Sequence, residues 1–196
     1  DDAVTNPVDQ IDLTGGGTRT INCTGVIYDF NGGSNVDIVT ASFFNPDFCT
    51  PECGGICEND CTKCYINTDC TLTNKNSTAK NIDCGFEVYY NTKQTGAPWI
   101  CTINANDTFN EVATQDEDIT AINSLTAINI NSTTLDFGTL LPGENSSSAM
   151  NVTNYGNIQI DIRLNGTGMT CDRGSIDANN LMYNCTDPVN VSMATG

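Results

Sequence analysis

The chain has no histidine, and only seven of its 196 residues are Lys or Arg. Without histidine, the Ser-His-Asp and Cys-His arrangements of nucleophilic catalysis cannot be built. With 24 acidic residues and a net charge of −17, the chain lacks the cations that phosphate contacts require. That excludes nucleic acid and anionic membrane surfaces as partners. No run of 18 apolar residues occurs, so no helix is predicted to insert in a bilayer. Aromatic residues make up 7% and tryptophan occurs once, which leaves few platforms for sugar. No two carboxylates stand in a context that marks a glycosidase pair. No segment has helical periodicity. The chain opens at Asp1 without methionine or an apolar leader, and we read it as a mature chain whose signal peptide has been removed. The expectation is a non-enzyme.

What the chain has in excess is cysteine and asparagine. Eleven cysteines are present, six of them between Cys49 and Cys70. A reducing cytosol keeps thiols free, so this density points to disulfides and an exported protein. There are 26 asparagines and nine Asn-x-Ser/Thr sequons, at Asn22, Asn76, Asn106, Asn131, Asn145, Asn151, Asn165, Asn184 and Asn190. Composition alone gives about five such sequons. The two excesses together describe a disulfide-stapled, N-glycosylated protein at the cell surface or outside the cell. The hydrophobic content, 38%, suffices for thin β-sheet cores that disulfides reinforce.

The pattern along the chain is all-β. Residues 1–19 are polar and extended, with Pro7 and a Gly15-Gly16-Gly17 hinge, and read as an N-terminal arm. Ile21 and Cys23 share one face of a first strand. Gly25 then allows a bulge before Val26, Tyr28 and Phe30. Residues 29–37 read as a turn, and Val36 to Phe44 as a second strand. Residues 45–83 have no periodicity and form a disulfide-rich insertion. Cys84, Phe86, Val88 and Tyr90 alternate, and Trp99, Cys101 and Ile103 form the return strand of a hairpin turning at Gly96 and Pro98. A domain boundary is expected near residue 124, giving a domain over 20–124 and a second over 125–196. In the latter, Leu135 and Phe137, a turn at Pro142-Gly143, then Met150 and Val152 are followed by the clearest alternation, Ile158 to Leu164. That segment reads as a half-buried antiparallel strand. Recognisable strands end near Tyr183. Asn22, Asn151, Asn165 and Asn184 fall on the outward parity of their strands.

Cys49, Cys53, Cys57, Cys61, Cys64 and Cys70 contain only one Cys-x2-Cys pair, Cys61 and Cys64. A zinc site needs a second pair or histidine co-ligands, so disulfides outweigh metal. Connectivity within this group and Cys84 stays open. Cys23 and Cys101 sit on inward faces of two candidate central strands with Trp99 close by, so a bridge is expected there. Cys171 and Cys185 are the only cysteines of the second half and are expected to pair. Eleven is odd, so one thiol is free or bonded to another molecule. Asp29, Asn31 and Asp37 place oxygen ligands at alternate positions, as calcium loops do, though no glutamate closes the loop and a plain Asn/Gly turn fits as well. Asp116, Glu117 and Asp118 at the presumed junction read as a solvated linker or a second calcium position.

Leu135-Asp136-Phe137-Gly138-Thr139-Leu140-Leu141-Pro142-Gly143, followed by Met150-Asn151-Val152-Thr153-Asn154-Tyr155-Gly156-Asn157, resembles a pattern of immunoglobulin-like modules in archaeal surface proteins. It is also similar to the β-sandwich subunits of biofilm-matrix fibres and archaeal bundling pili. The segments NCTGVIYDF and PWICTINAND look like a companion module. The resemblance implies two immunoglobulin-like sandwich domains, no catalytic residues, and subunits joined into a homopolymer by strand donation. The second module is short of the seven strands a full sandwich needs. The arm around Ala3 to Leu13, with Val4, Val8 and Ile11 as alternate apolar positions, is the candidate donor. An adhesin or glycan-binding module, or a sheath or surface-layer protein, is the alternative.

Overall fold

A computed structural model describes residues 10–47, 62–94, 98–109, 111–119, 121–180, 182 and 191–195. Among them the chain is all-β, with two short 3-10 turns at Gly33–Asn35 and Ala178–Asn180. The chain falls into two compact units, 1–158 and 159–196, whereas composition alone points to residue 124.

The first unit is built on two antiparallel sheets. One has three strands in the order β2 (Thr18–Tyr28), β6 (Ala79–Tyr89), β5 (Thr71–Asn76). The other has four, in the order β4 (Cys64–Asn67), β3 (Val36–Phe44), β7 (Trp99–Asp107), β8 (Val112–Ile119). Period-2 alternation explains the core directly. Ile21 and Cys23 of β2 and Ile82, Cys84, Phe86 and Val88 of β6 are buried in one cluster with Val39, Ala41 and Phe43 of β3 and with Trp99, Cys101, Ile103 and Ala105 of β7. Trp99 and Phe43 are both 0% exposed, with ring centroids 4.7 Å apart. The Trp99 indole N–H donates to the Lys93 carbonyl at 3.3 Å, so its one polar atom is not left unpaired. The Cys23–Cys101 disulfide joins β2 of one sheet to β7 of the other.

Several expectations are corrected. The ladder between β2 and β6 runs from Thr18↔Tyr89 to Tyr28↔Ala79 without a register shift. There is thus no bulge at Gly25; Ile27 packs on the core and Phe30 is 89% exposed. Residues 62–83 are not a structureless insertion, because β4, β5 and the start of β6 lie in them. The segments around Cys84 and Cys101 do not form a hairpin. β6 pairs with β2 and β5, and β7 with β3 and β8, so the connection crosses between sheets. Asp116, Glu117 and Asp118 belong to β8, opposite Thr102, Cys101 and Ile100, and are no linker.

The N-terminal segment is also corrected. β1 (Gln10–Ile11) pairs in parallel with β9 (Ala121–Ile122) of the same chain. Ile11 and Leu13 are buried in the core cluster. The three glycines are no hinge. Gly16 has φ +66°, and a Cβ there would stand 2.2 Å from the Tyr155 ring. A Cβ on Gly15 would stand 2.9 Å from that of Ala127.

That close approach explains the Asn-Tyr-Gly-Asn motif. β10 (Ile128–Ile130) pairs with β11 (Val152–Asn154), and the motif follows. The Asn157 amide accepts from the Leu125 N–H at 2.7 Å and donates to the carbonyls of Thr92 at 3.1 Å and Asn123 at 3.0 Å. A Cβ on Gly156 would meet the Leu125 carbonyl at 2.1 Å. The motif is thus a clamp on residues 92 and 123–127. Leu135 and Phe137 lie outside any strand, while Pro142 and Gly143 form the expected turn.

In the second unit, β12 (Ile162–Gly166) pairs in parallel with β15 (Val191–Thr195). β13 (Met169–Cys171) forms an antiparallel pair with β14 (Gly174–Ile176). The Ile158–Leu164 strand therefore starts later than its alternation suggests and is parallel. Strands also continue past Tyr183.

Two outcomes follow for denaturant titration. The bridge spans a sequence separation of 78, so Cys23→Ala/Cys101→Ala should cost about 4 kcal/mol through loop closure; a loss below about 1 kcal/mol would contradict the inter-sheet staple. Asn157→Ala should cost about 2 kcal/mol, because it strands three main-chain partners. Asn157→Asp, which keeps only the bond to Leu125, should fall between.

Candidate functional site

β6 is where the fold leaves something unfinished. β2 flanks it along its whole length. On the other side β5 pairs only with residues 79–83. From Gly85 to Tyr89 no strand covers that side among the described residues. Side chains of β4 stand in at two points. The Asn67 amide donates to the Gly85 carbonyl at 2.8 Å, and the Tyr89 N–H donates to the Tyr65 hydroxyl at 3.0 Å. In an extended strand alternate residues direct their main-chain groups to the same side. Glu87, midway between them, therefore aims its N–H and C=O at the open side.

A cavity of about 450 Å³ lies along this edge, lined by residues 64–68 on one side and by 85–87 and Tyr89 on the other. Its floor is tied to the core. The Tyr65 ring stacks on Phe43 at 6.1 Å and on Tyr89 at 6.5 Å with 13° between planes. The Tyr65 hydroxyl also hydrogen-bonds the hydroxyl of buried Thr92. Two tyrosine rings thus form a shelf beside an unpaired strand edge.

On the outer face of the same strand, the Glu87 carboxylate accepts hydrogen bonds from the hydroxyls of Thr20 and Thr18. These bonds, Thr20 first, hold the Glu87 carboxyl below its ordinary value. The group is an anion at neutral pH. No group of three or more His, Cys, Asp or Glu is gathered among the described residues.

The expected cysteine pair Cys23–Cys101 is present. A second bridge joins Cys70 to Cys84, and Cys64 is disulfide-bonded as well. Sequence reasoning left the partner of Cys84 open because it missed the hairpin of β5 and β6. With Thr71 opposite Asp83, the next pair outward is Cys70 and Cys84, and the Asn76-Ser77-Thr78 turn was the available signal. Cys23 also lies directly opposite Cys84, so the two bridges sit side by side in the core. Cys49, Cys53, Cys57, Cys61 and Cys185 lie outside the described residues, as does the side chain of Cys171.

Six sequon asparagines, Asn22, Asn76, Asn106, Asn131, Asn145 and Asn151, are exposed. The side chains of Asn165, Asn184 and Asn190 are outside the described set. Of the donor positions, Val4 and Val8 lie outside it too, while Ile11 is 1% exposed in its own core and is not a donor to another subunit. In the suggested calcium loop, Asp29 Oδ1 accepts the Asn31 N–H at 2.8 Å, an Asx turn. Its Oδ2 is buried with no hydrogen-bond partner, whereas Asn31 and Asp37 are exposed. One anionic oxygen suits a cation, but it is the only such observation.

No family model, no curated protein and no solved structure matches this chain.

A pH series tests the Glu87 geometry. Its folded-state pKa lies below the unfolded one, so its stabilisation is present above the ordinary value of 4.5 and is lost as pH falls through the lower folded value. Urea titrations of wild type and Glu87→Gln should differ at pH 7 and converge as pH falls through the lowered folded-state value. A gap that persists unchanged to pH 2 would show that the carboxylate is not held by the threonines.

Proposed function

We propose that the chain is a non-catalytic structural subunit of an extracellular archaeal filament, stapled by disulfides, coated with N-glycans and joined to its copies by strand donation. One observation carries this reading: the edge of β6 from Gly85 to Tyr89 has no strand partner among the described residues and opens on a groove, with the main-chain groups of Glu87 aimed into it. An open edge presents unsatisfied main-chain groups that another extended chain completes.

The donor in this reading is shorter than the arm first expected. Residues 10–13 are fixed in their own core, so β1 serves as the anchor and residues 1–9 as the donated segment. Fully extended, nine residues reach about 30 Å. Val4 and Val8 are its apolar side chains, and donation requires Pro7 to fall where no N–H is needed. A head-to-tail contact of this kind does not close on itself and so propagates. The two facing sheets, the inter-sheet disulfide and the buried Trp99 beside it support an immunoglobulin-like module. The oxidised cysteines support a location outside the reducing cytosol.

Subunits of charge −17 repel one another, and salt screens that repulsion. Assembly should therefore strengthen from 0.01 M to 1 M salt. Deleting residues 1–9 while keeping Gln10 should give folded subunits that form no filaments by electron microscopy at any salt. Filaments from that deletion would rule out donation by this segment. Intact mass of native protein should exceed the bare 20.9 kDa; a mass equal to it would remove the glycan part.

A second reading is an adhesin that holds a glycan in the same groove, favoured by the Tyr65–Tyr89 shelf beside Asn67. It requires a monodisperse monomer whose glycan binding is lost in Tyr89→Ala.

A further inference from the structure

We propose that Asn106 carries an N-linked glycan whose inner sugars cover the exposed apolar pair Ile38 and Val112. This rests on the glycosylation reading above and extends it, assigning one site and what its sugar does.

β7 lies between β3 and β8, and residues paired directly across strands share a face with Cβ atoms about 5 Å apart. Beyond the row of Phe44, Ile100 and Asp118, whose Phe44 and Ile100 pack with Cys64 of β4, the outer face reads as three rows. Ser42, Thr102 and Asp116 form the first, and Thr40, Asn104 and Thr114 the second. Both are polar, and in each the β7 and β8 side chains are hydrogen-bonded to one another. The Thr102 hydroxyl donates to Asp116, and the Thr114 hydroxyl donates to Asn104 at 2.8 Å.

The third row breaks the pattern. Ile38, Asn106 and Val112 stand side by side, with Ile38 54% and Val112 66% exposed. The bulge at Asp37, where the register shifts between Val36 and Ile38, turns Ile38 outward. Asn106 hydrogen-bonds to neither neighbour, since both are hydrocarbon. The Asp107 carboxylate takes the N–H groups of Phe109 and Glu111, and the Thr108 N–H goes to the Asn35 carbonyl at 2.9 Å. The turn is thus closed by other residues, and the Asn106 amide projects from the last outward position of β7.

Single exposed apolar side chains are ordinary. Two of them flanking an asparagine in a sequon are a seat for the C–H faces of the first sugars. Asn22, Asn76 and Asn131 are placed differently. Asn76 bonds Thr78, Asn131 accepts the Asn151 N–H, and Asn22 lies over Gly85.

The test uses the full chain from a host that N-glycosylates, digested and read by mass spectrometry. The peptide containing Asn106 should carry sugar in most molecules. Asn106→Gln and Thr108→Ala each remove that sugar, and binding of the apolar dye bis-ANS should then roughly double. Adding Ile38→Thr and Val112→Thr to Asn106→Gln should return it to the wild-type level. A bare Asn106 beside other occupied sequons overturns this proposal and leaves the general one standing. Nine bare sequons overturn both. An occupied Asn106 whose removal leaves dye binding unchanged overturns the covering role.

Discussion

The Cys23–Cys101 bridge is the constraint on which the first unit depends. Two sheets with seven strands between them have only a thin core to hold them together, and β2, β5 and β7 are rich in threonine and asparagine. The bridge crosses that core from β2 to β7, with the Cys70–Cys84 bridge adjacent to it. Around them pack the side chains that do most of the burying, Trp99, Phe43, Phe86 and Val88. Removing water from these side chains drives the sheets together. The bridges limit how far the unfolded chain can expand, which compensates for the small core.

With the inner faces so committed, the outer faces and edges are left to meet the surroundings. On the outer face of β7 and β8, the rows at Thr102 and Asn104 pair polar side chains, and the row at Asn106 does not. The outer face of β6 holds an ionised glutamate between two threonines. Among the described inner strands, two stretches lack a strand partner on one side: β6 beyond Asp83, where β5 ends and β4 reaches it through side chains alone, and β3 before Ala41, where β4 does not extend. Faces that are largely closed beside edges that are not are why the proposed contact is an edge contact, and the β6 edge is the one that opens on a groove.

The strand periodicity was legible from sequence where one face is buried and the other wet. Val36 to Phe44 was bounded correctly, and the inward parity of Ile21, Cys23, Trp99 and Cys101 gave the bridge. What sequence could not show was partnership. Cys84 to Tyr90 and Trp99 to Ile103 look like a hairpin because both alternate around a Gly/Pro-containing turn, yet they lie in different sheets. Alternation specifies a face and says nothing of the neighbour. The edge strands β5 and β8 were hidden because side chains exposed on both faces give no apolar alternation, as Thr71–Asn76 and residues 112–116 illustrate, and β4 is too short to show a period. The three glycines read as flexible, although close approach of Ala127 and Tyr155 is what requires Gly15 and Gly16. The groove was invisible for the same reason as the hairpin of β5 and β6, since it exists only where one strand outlasts its neighbour.

Amide hydrogen exchange at Glu87 tests the account most directly. In the isolated subunit its N–H faces the open side of β6 and should exchange rapidly, unlike Phe86 and Val88, whose N–H groups face β2. In assembled material, a donated strand should protect the Glu87 amide to the level of its neighbours. A Glu87 amide that exchanges equally fast in subunit and assembly would contradict strand addition at this edge.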